Sequence, residues 1–533
     1  MENSLFFEKM KKKTPEFETK IASIVEYFKN EPVFNFLEKI KEIFPESEIY
    51  LVGGALRDFF LDRKCKDYDF IIRNVKAKEL QESLTHLGKV NLVGRVFGVF
   101  KFVPADQQER FKKIGFEPFD LALPRREHAY LSGGYRDMKT QSKPDLSVEE
   151  DLKRRDFTFN AMALRLDFKT LEPQNLIDPY QGLEDLKSKS IKAVGDPKIR
   201  FREDYSRMLR ALRLACELGF QIEEKTFEII KENIANLNER KNKEWIVPRE
   251  TIAKEMLKAF YNNPVRAFNF YEESGAFKVL IPEINAMKGC PQPLEFHTEG
   301  DVFVHTRLSL EKLQSKEYQE IFGSEKPSIQ LIMALLFHDI GKPQTLKTPE
   351  RDGADRIRFN EHDEIGGKMA QKIIKRLKLE SQPQGSSLHL EMEKINWLVK
   401  AHLLLLHGKP EEMRTSTIEK YFFNPLKPGD ELIRLSYCDA QATIPESGKP
   451  DMENFNAMMA RIKEVSKFLN ERRALPPPLL DGHEIMKILE IKSGPRVGKI
   501  INTLREKQLE GKLKTKEEAI EFIKNTTEII AND

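Results

Sequence analysis

The stretch Leu51–Ile72, LVGGALRDFFLDRKCKDYDFII, decides how the chain is read. A strand-like run ends on Gly53 and Gly54, a short helical segment follows in ALRDFFL, and a second strand-like run opens with Asp67 and Asp69 one residue apart. Residues two apart on a strand point to the same side, so these carboxylates share a face and can hold hard divalent cations through oxygen. Gly53 and Gly54, at the strand-to-helix turn, let backbone N–H groups approach a triphosphate, while Arg57 and the helix N-terminus add positive potential. Asp120, in FEPFDLALPRRE, offers a third carboxylate from another strand, able to accept the proton of an attacking hydroxyl. Together these features suit a metal-assisted phosphoryl transfer site. Taken singly, a GG pair is equally a tight turn and a DxD pair equally a solvated strand edge.

The chain has 533 residues, too many for one core, so several domains are expected. Its formal net charge is only +3 although 32% of residues are charged, so any polyanion-binding surface must come from local clustering. Cys65, Cys216, Cys290 and Cys438 are scattered with no CxxC pair, which fits a reducing cytosol and argues against a disulfide framework or zinc ribbon. The start MENSLFFEKMKKKTPEF lacks a signal-peptide apolar core, and runs such as LIMALLF are too short to span a bilayer. A soluble cytoplasmic protein with no membrane partner is expected.

Residues 1–44 read as a charged helical segment, a cap or an extension. Short strand-like runs (IYLVGG, DYDFII, VNLVG, VFGVFKFV, FDLAL, FTFNAMAL) dominate residues 45–165 and predict a small sheet domain, the head. From there the pattern turns helical: a neck over 166–225, a body over 226–290, a histidine-rich domain over 291–445, and a helical basic tail over 446–533 within which LNERRALPPPLLDG reads as the linker to a Lys/Arg-weighted segment. The fold class is therefore α+β and multidomain, a small mixed β-sheet head followed by mostly α-helical domains.

In the neck, EDYSRMLRALR places Asp204 and Arg207 three residues apart, on one face of a helix, with Arg210 continuing the row. A carboxylate accepts hydrogen bonds and a guanidinium donates them. Cytosine and adenine both present an amino donor beside a ring-nitrogen acceptor, whereas uracil and guanine present the reverse order. One Asp/Arg pair can thus accept CTP and ATP and leave unpaired groups against UTP or GTP.

Four motifs follow in order: the opening stretch, RRDFTFNAMAL from Arg154, DPYQGLEDL from Asp178 and FREDYSRMLRALR from Phe201. Together they resemble the bacterial-type tRNA nucleotidyltransferase and poly(A) polymerase family, which includes the bacterial and eukaryotic CCA-adding enzymes. The resemblance is close from Ile49 to Phe220 and weaker beyond. It implies a head that adds CMP, CMP and AMP to tRNA 3′ ends from CTP and ATP without a nucleic-acid template, with Mg2+ on Asp67 and Asp69. It further implies that Gly54, Arg57, Arg155, Arg207 and Arg210 contact the nucleotide, that Asp156 and Asn160 position the sugar, and that Glu203, Asp204 and Arg207 act as the amino-acid template. LVGRVFGVFKF, Leu92–Phe102, resembles the tRNA enzymes more than the bacterial poly(A) polymerases. The long polar segment Arg125–Ser147 resembles the flexible loop that helps such enzymes switch from C to A addition. A poly(A) polymerase and an A-only or CC-only enzyme are the alternatives within the family.

The histidine-rich domain holds seven of the ten histidines. His305, His338 with Asp339, His362, either His402 or His407, and Asp439 come in the order H, HD, H, H, D, which resembles the HD phosphohydrolase superfamily. Imidazoles and carboxylates suit a transition metal such as Ni, Mn, Co or Fe, which could activate water for phosphoester cleavage. The resemblance implies a phosphatase or 2′,3′-cyclic phosphodiesterase serving tRNA 3′-end repair; an HD hydrolase with a silent RNA-binding head is the rival from another class. His297, His389 and His483 lack such a context and are read as structural. The tRNA acceptor arm is A-form and should be gripped through its phosphates, with NERKNKEWIVPRE and the basic tail as candidate surfaces. Monomer and homodimer are both open.

Overall fold

The computed structural model describes residues 15–93, 99–129, 132–134, 138–167, 176–471 and 477–526. Parts of three sequence features lie outside these: residues 94–98 of LVGRVFGVFKF, residues 130–131 and 135–137 of the polar loop, and residues 472–476 of the linker to the tail. The chain divides into two compact units, residues 1–280 and 281–533.

The first unit is built on a seven-stranded mixed sheet: β1 (Glu48–Val52), β2 (Asp69–Arg73), β3 (Gly88–Val93), β4 (Val99–Pro104), β5 (Phe119–Ala122), β8 (Ala163–Arg165) and β9 (Leu176–Ile177), in the order β3-β4-β5-β2-β1-β8-β9. β2 and β5 are parallel and put Asp69 beside Asp120; β1 and β2 are antiparallel and put Val52 beside Asp69. Alternation along β2 separates two faces. Phe70 joins a buried aromatic cluster, whereas Ile71 packs with Tyr50, Val52, Val148, Leu152, Ala161 and Ala163 on the side that carries Asp69.

Residues 15–43 form helices Pro15–Asn30 (α1) and Asn35–Ile43 (α2) joined by the turn Pro32–Phe34. Of the two readings, cap or extension, they take the first and form a layer of the head. Phe28, Phe34 and Phe36 are almost fully buried and meet Phe70, Phe102 and Phe119 at ring-centroid distances of 4.8–5.8 Å. Each such ring contributes about 1.5–3 kcal/mol by leaving water, enough to draw a charged N-terminal segment onto the sheet. Part of the polar segment expected as a loop is a hairpin, β6 (Arg125–Ala129) paired with β7 (Met138–Ser142).

The head also holds α3 (Val148–Lys153), packed on its sheet; the neck runs through α4 (Pro197–Glu203) and α5 (Ser206–Leu218), and the body includes α6 (Arg249–Asn262). The single helix expected through Asp204 is broken. α4 ends at Glu203, Asp204 is extended at φ −155°, ψ 105°, and α5 begins at Ser206. The Asp204 carboxylate accepts from the Ser206 N–H (2.9 Å) and Oγ–H (2.6 Å), a local bond that competes with helix continuation.

The second unit is helical. α7 (Val302–Lys312), α8 (Ile329–Phe337), α9 (His362–Leu377), α10 (Met392–Ala401) and α11 (Gly429–Ala442) pack around α8. Every residue of α8, IQLIMALLF, is buried, as a helix apolar on all sides must be. The C-terminal segment is more than a basic tail. Helices Gly482–Leu489, Pro495–Leu509 and Lys516–Thr526 enclose their own apolar cluster of Leu480, Ile485, Val497, Ile500, Leu504 and Ile523. No helix of the described residues is long and apolar enough to cross a membrane.

Candidate active site and metal centre

Asp67, just before β2, and Asp69 and Asp120, side by side on β2 and β5, bring carboxylate oxygens within 4.8 Å of one another. Lys101, paired with Asp120 across β4 and β5, holds it at 2.8 Å. Burial pushes the Asp69 carboxyl up to about 6; Arg155 opposes the rise and Asp67 and Asp120 add to it. Asp67 is raised as well, by burial and then by Glu117 and Asp120. Crowded carboxylates that resist ionisation on their own are relieved by a cation, and an all-oxygen donor set fits Mg2+.

Gly53 abuts this cluster. At φ +73°, ψ −143° it turns the chain from β1 into the short helix Gly54–Phe60, and a Cβ there would lie 2.9 Å from Asp69 Oδ2 and 3.0 Å from an Arg155 nitrogen. Gly54 opens that helix beside the Arg57 guanidinium, where a Cβ would sit at an ordinary contact distance of 3.5 Å. Arg57 itself is buried, pairs with Asp58 at 2.8 Å and donates to Asn160 Oδ1 at 3.3 Å.

Facing the carboxylates across a cavity of ≈ 400 Å³ are Arg154, Arg155, Asp156, Asp204, Arg207 and Arg210. Each guanidinium is aimed by a carboxylate. Asp151 on α3, 1% exposed, binds Arg154 at 2.8 Å and Arg155 at 3.3 Å. Burial works against its ionisation, but the two arginines outweigh it and hold the carboxyl below the usual range. Glu203 accepts from Arg200 and Arg207, both at 2.7 Å, and Arg207 also donates to the Arg200 and Arg154 carbonyls. That uses three of its five N–H donors. Asp156 accepts from Asn160 (3.0 Å), from the Phe157 N–H (2.8 Å) and from Arg210 Nε. Glu255 on α6 lies 4.0 Å from Arg210 and 2.9 Å from Arg213.

Of the residues singled out in the sequence, Asp69, Asp120, Arg155, Asp156, Asp204, Arg207 and Arg210 therefore line one cavity. Gly53, Gly54, Arg57, Asn160 and Glu203 stand around it, holding the groups that do, and Asp67 completes the carboxylate cluster. Lys101, Asp151, Arg154 and Glu255 escaped notice. Only Arg154 had a sequence signal, as the first residue of the RRDFTFN motif.

In the second unit, His305, His338 and Asp439 form one donor group and Asp339, His362 and His402 another. Asp339 lies between them: its Oδ2 is 3.4 Å from His338 Nε2, and its Oδ1 is 3.5 Å from His362 Nε2 and 3.8 Å from His402 Nε2. His402 is fully buried and joins this donor group, whereas His407 is exposed and does not. Nδ1 of His338, His362 and His402 meets the carbonyl of Leu335, Phe359 and Val399 at 2.7, 2.8 and 2.6 Å. Each ring is thereby fixed with Nδ1–H donating and Nε2 turned to the cluster, the arrangement of metal-ligating histidines. His338 Nε2 is buried with no hydrogen-bond partner. The donors fit a transition metal. Above them opens a cavity of ≈ 890 Å³ whose lining includes His297, Lys342, Arg356, His407 and Asn454.

Comparison with known proteins finds matches in both units. Residues 49–192 match the poly A polymerase head domain, residues 219–288 the probable RNA and SrmB-binding site of polymerase A, and residues 305–438 the HD domain. The A-adding tRNA nucleotidyltransferase of Deinococcus radiodurans is 28% identical over 90% of this chain and 95% of its own length. The chain thus carries a poly A polymerase head domain, the RNA-binding segment that goes with it and an HD domain. It also matches the multifunctional CCA protein of Nitrosospira multiformis, 32% identical over 56% of this chain and 62% of the relative. The fold is that of the Bacillus stearothermophilus CCA-adding enzyme solved with CTP (TM-score 0.55, 17% identity, covering 98% of this chain and all of that one). The Thermotoga maritima CCA-adding enzyme solved with tRNA shares it (TM-score 0.53, 18% identity, covering 95% and 98%). The chain keeps the head's carboxylates and the HD donors in separate compact units.

Proposed function

We propose that the head is a tRNA nucleotidyltransferase that adds CMP, CMP and AMP to tRNA 3′ ends from CTP and ATP, releasing pyrophosphate, with no nucleic-acid template. The observation that carries this is the facing of Asp67, Asp69 and Asp120 by Arg154, Arg155, Arg207 and Arg210 across one cavity. Mg2+ held by Asp67 and Asp69 would supply charge neutralisation for the reacting phosphates. Asp120 accepts the proton of the 3′-hydroxyl, and the Lys101 ammonium at 2.8 Å holds it in place for that task. The arginines bind the triphosphate. Asp204 accepts from the exocyclic amine of C or A, and the two N–H donors that Arg207 has left meet the ring nitrogen. Asp69→Ala should abolish nucleotide incorporation with unchanged folding; a fully active variant would overturn the assignment.

A second reading, addition of A alone, is favoured by the full-length match to an A-adding enzyme. The HD unit is proposed as a metal-dependent phosphohydrolase, a phosphatase or 2′,3′-cyclic phosphodiesterase for tRNA 3′ ends. The lining of its cavity by Lys342 and Arg356 supports a phosphate substrate. The protein is taken to act in the cytoplasm as a monomer or homodimer.

A further inference from the structure

Glu299 was no part of any motif, yet its side chain is 1% exposed and at the centre of a bond set beside the HD donors. Its Oε1 accepts from two imidazoles, His305 Nδ1 at 2.9 Å and His297 Nδ1 at 2.7 Å. Its Oε2 accepts from the Ile444 N–H at 3.0 Å, two residues beyond the end of α11, the helix that carries Asp439. His305 differs here from the other three histidines of the cluster. They are fixed by neutral backbone carbonyls three residues back in their own chain segments; His305 is fixed by a carboxylate from outside its helix. With Nδ1–H committed to Glu299, His305 presents Nε2 to Asp439 Oδ1 at 3.0 Å and to Asp339 Oδ2 at 3.8 Å.

We infer that Glu299 is the positioning residue of the HD centre: it sets the tautomer and angle of His305 and ties that ring to the end of the Asp439 helix. An ionised acceptor raises the basicity of the ligand it holds, and loss of such a partner weakens metal binding by about 10–100-fold. Glu299 touches no substrate in this account. His297, held on the same oxygen, lines the cavity beside the centre. The inference rests on the reading of the HD cluster as a metal site.

Titration of Co2+ into full-length metal-free protein, followed by its visible absorption bands, tests it. All chains carry Asp67→Ala and Asp69→Ala so that the head contributes no carboxylate pair. The parent should bind Co2+, and Glu299→Ala should bind it about 10–100-fold more weakly, with shifted bands at saturation. Glu299→Gln keeps a carbonyl acceptor and should recover part of the affinity and most of the spectrum; it also decides the matter if the alanine variant does not fold. Binding within about twofold of the parent with unchanged bands in Glu299→Gln and Glu299→Ala alike would overturn the inference. A weaker Kd with an unchanged saturated spectrum would overturn it too, because it would mark a loss of stability rather than of ligand orientation. A parent that binds no Co2+ would overturn the metal reading itself, and the inference with it.

Discussion

At Asp69, burial and two neighbouring carboxylates work against ionisation and hold the carboxyl at about 6 in the metal-free fold. The folded-state value lies above the unfolded one, so this group favours the fold below its ordinary range and costs stability as pH rises through about 6. Mg2+ reverses the balance, because only the ionised carboxylate is a ligand. The gain in unfolding temperature that Mg2+ gives should therefore be full near about pH 8 and shrink as pH falls below about 6, with apparent affinity dropping roughly tenfold per unit. A Mg2+ gain independent of pH in that window would argue against Asp69 as a ligand. Gly53 makes a second prediction. Its φ of +73° and the 2.9 Å approach to Asp69 leave no place for a methyl group, so Gly53→Ala should strain the turn by about 1–3 kcal/mol and displace a ligand. A fall in kcat of about 100-fold is expected from such a displacement, read in steady-state incorporation. Asp67 and Asp69 were legible from their spacing of two, although only Asp69 is on β2 and Asp67 lies just before it. Lys101 was not, since its partner Asp120 is defined only by sheet register.

The elements of the neck depart most from what the sequence implied. A row of Asp204, Arg207 and Arg210 on one helix is correct for Arg207 and Arg210, but Ser206 captures the Asp204 carboxylate and breaks the helix before it. Both groups still line the cavity, joined by a junction instead of a helix face. Asp151 shows why supporting residues are invisible at this scale: nothing in VEEDLK distinguishes one acidic residue from its neighbours until the fold buries it between two guanidiniums. Asp151→Asn should leave Arg154 and Arg155 unaimed and raise KM for nucleotide about tenfold, more than it lowers kcat, if the arginines bind the triphosphate in ground and transition state alike. Michaelis parameters for CTP and ATP distinguish this from a general loss of fold, which would lower the active fraction and leave KM unchanged. The N-terminal helices stayed open between cap and extension for a related reason. Their charge pattern reads as a surface, while Phe28, Phe34 and Phe36 commit them to the sheet.

At the scale of the whole molecule, a near-neutral chain carries two sites of different chemistry in two compact units, one of oxygen donors and one of imidazoles and carboxylates. The order H, HD, H, H, D was readable from residue types alone. The choice of His402 over His407 needed burial, and Glu299 needed three dimensions. Asp339→Asn should abolish metal-dependent phosphoester hydrolysis and leave nucleotide incorporation unchanged; equal loss of both in parallel assays would contradict the division of labour. The central claim is most directly tested by giving the purified protein and Mg2+ three tRNA transcripts, ending before CCA, after C and after CC, each with CTP, ATP or both. The account predicts stepwise completion to CCA on all three, followed by arrest. Addition of A to the transcript ending in CC, with no C added to the other two, would contradict it and put A addition in its place.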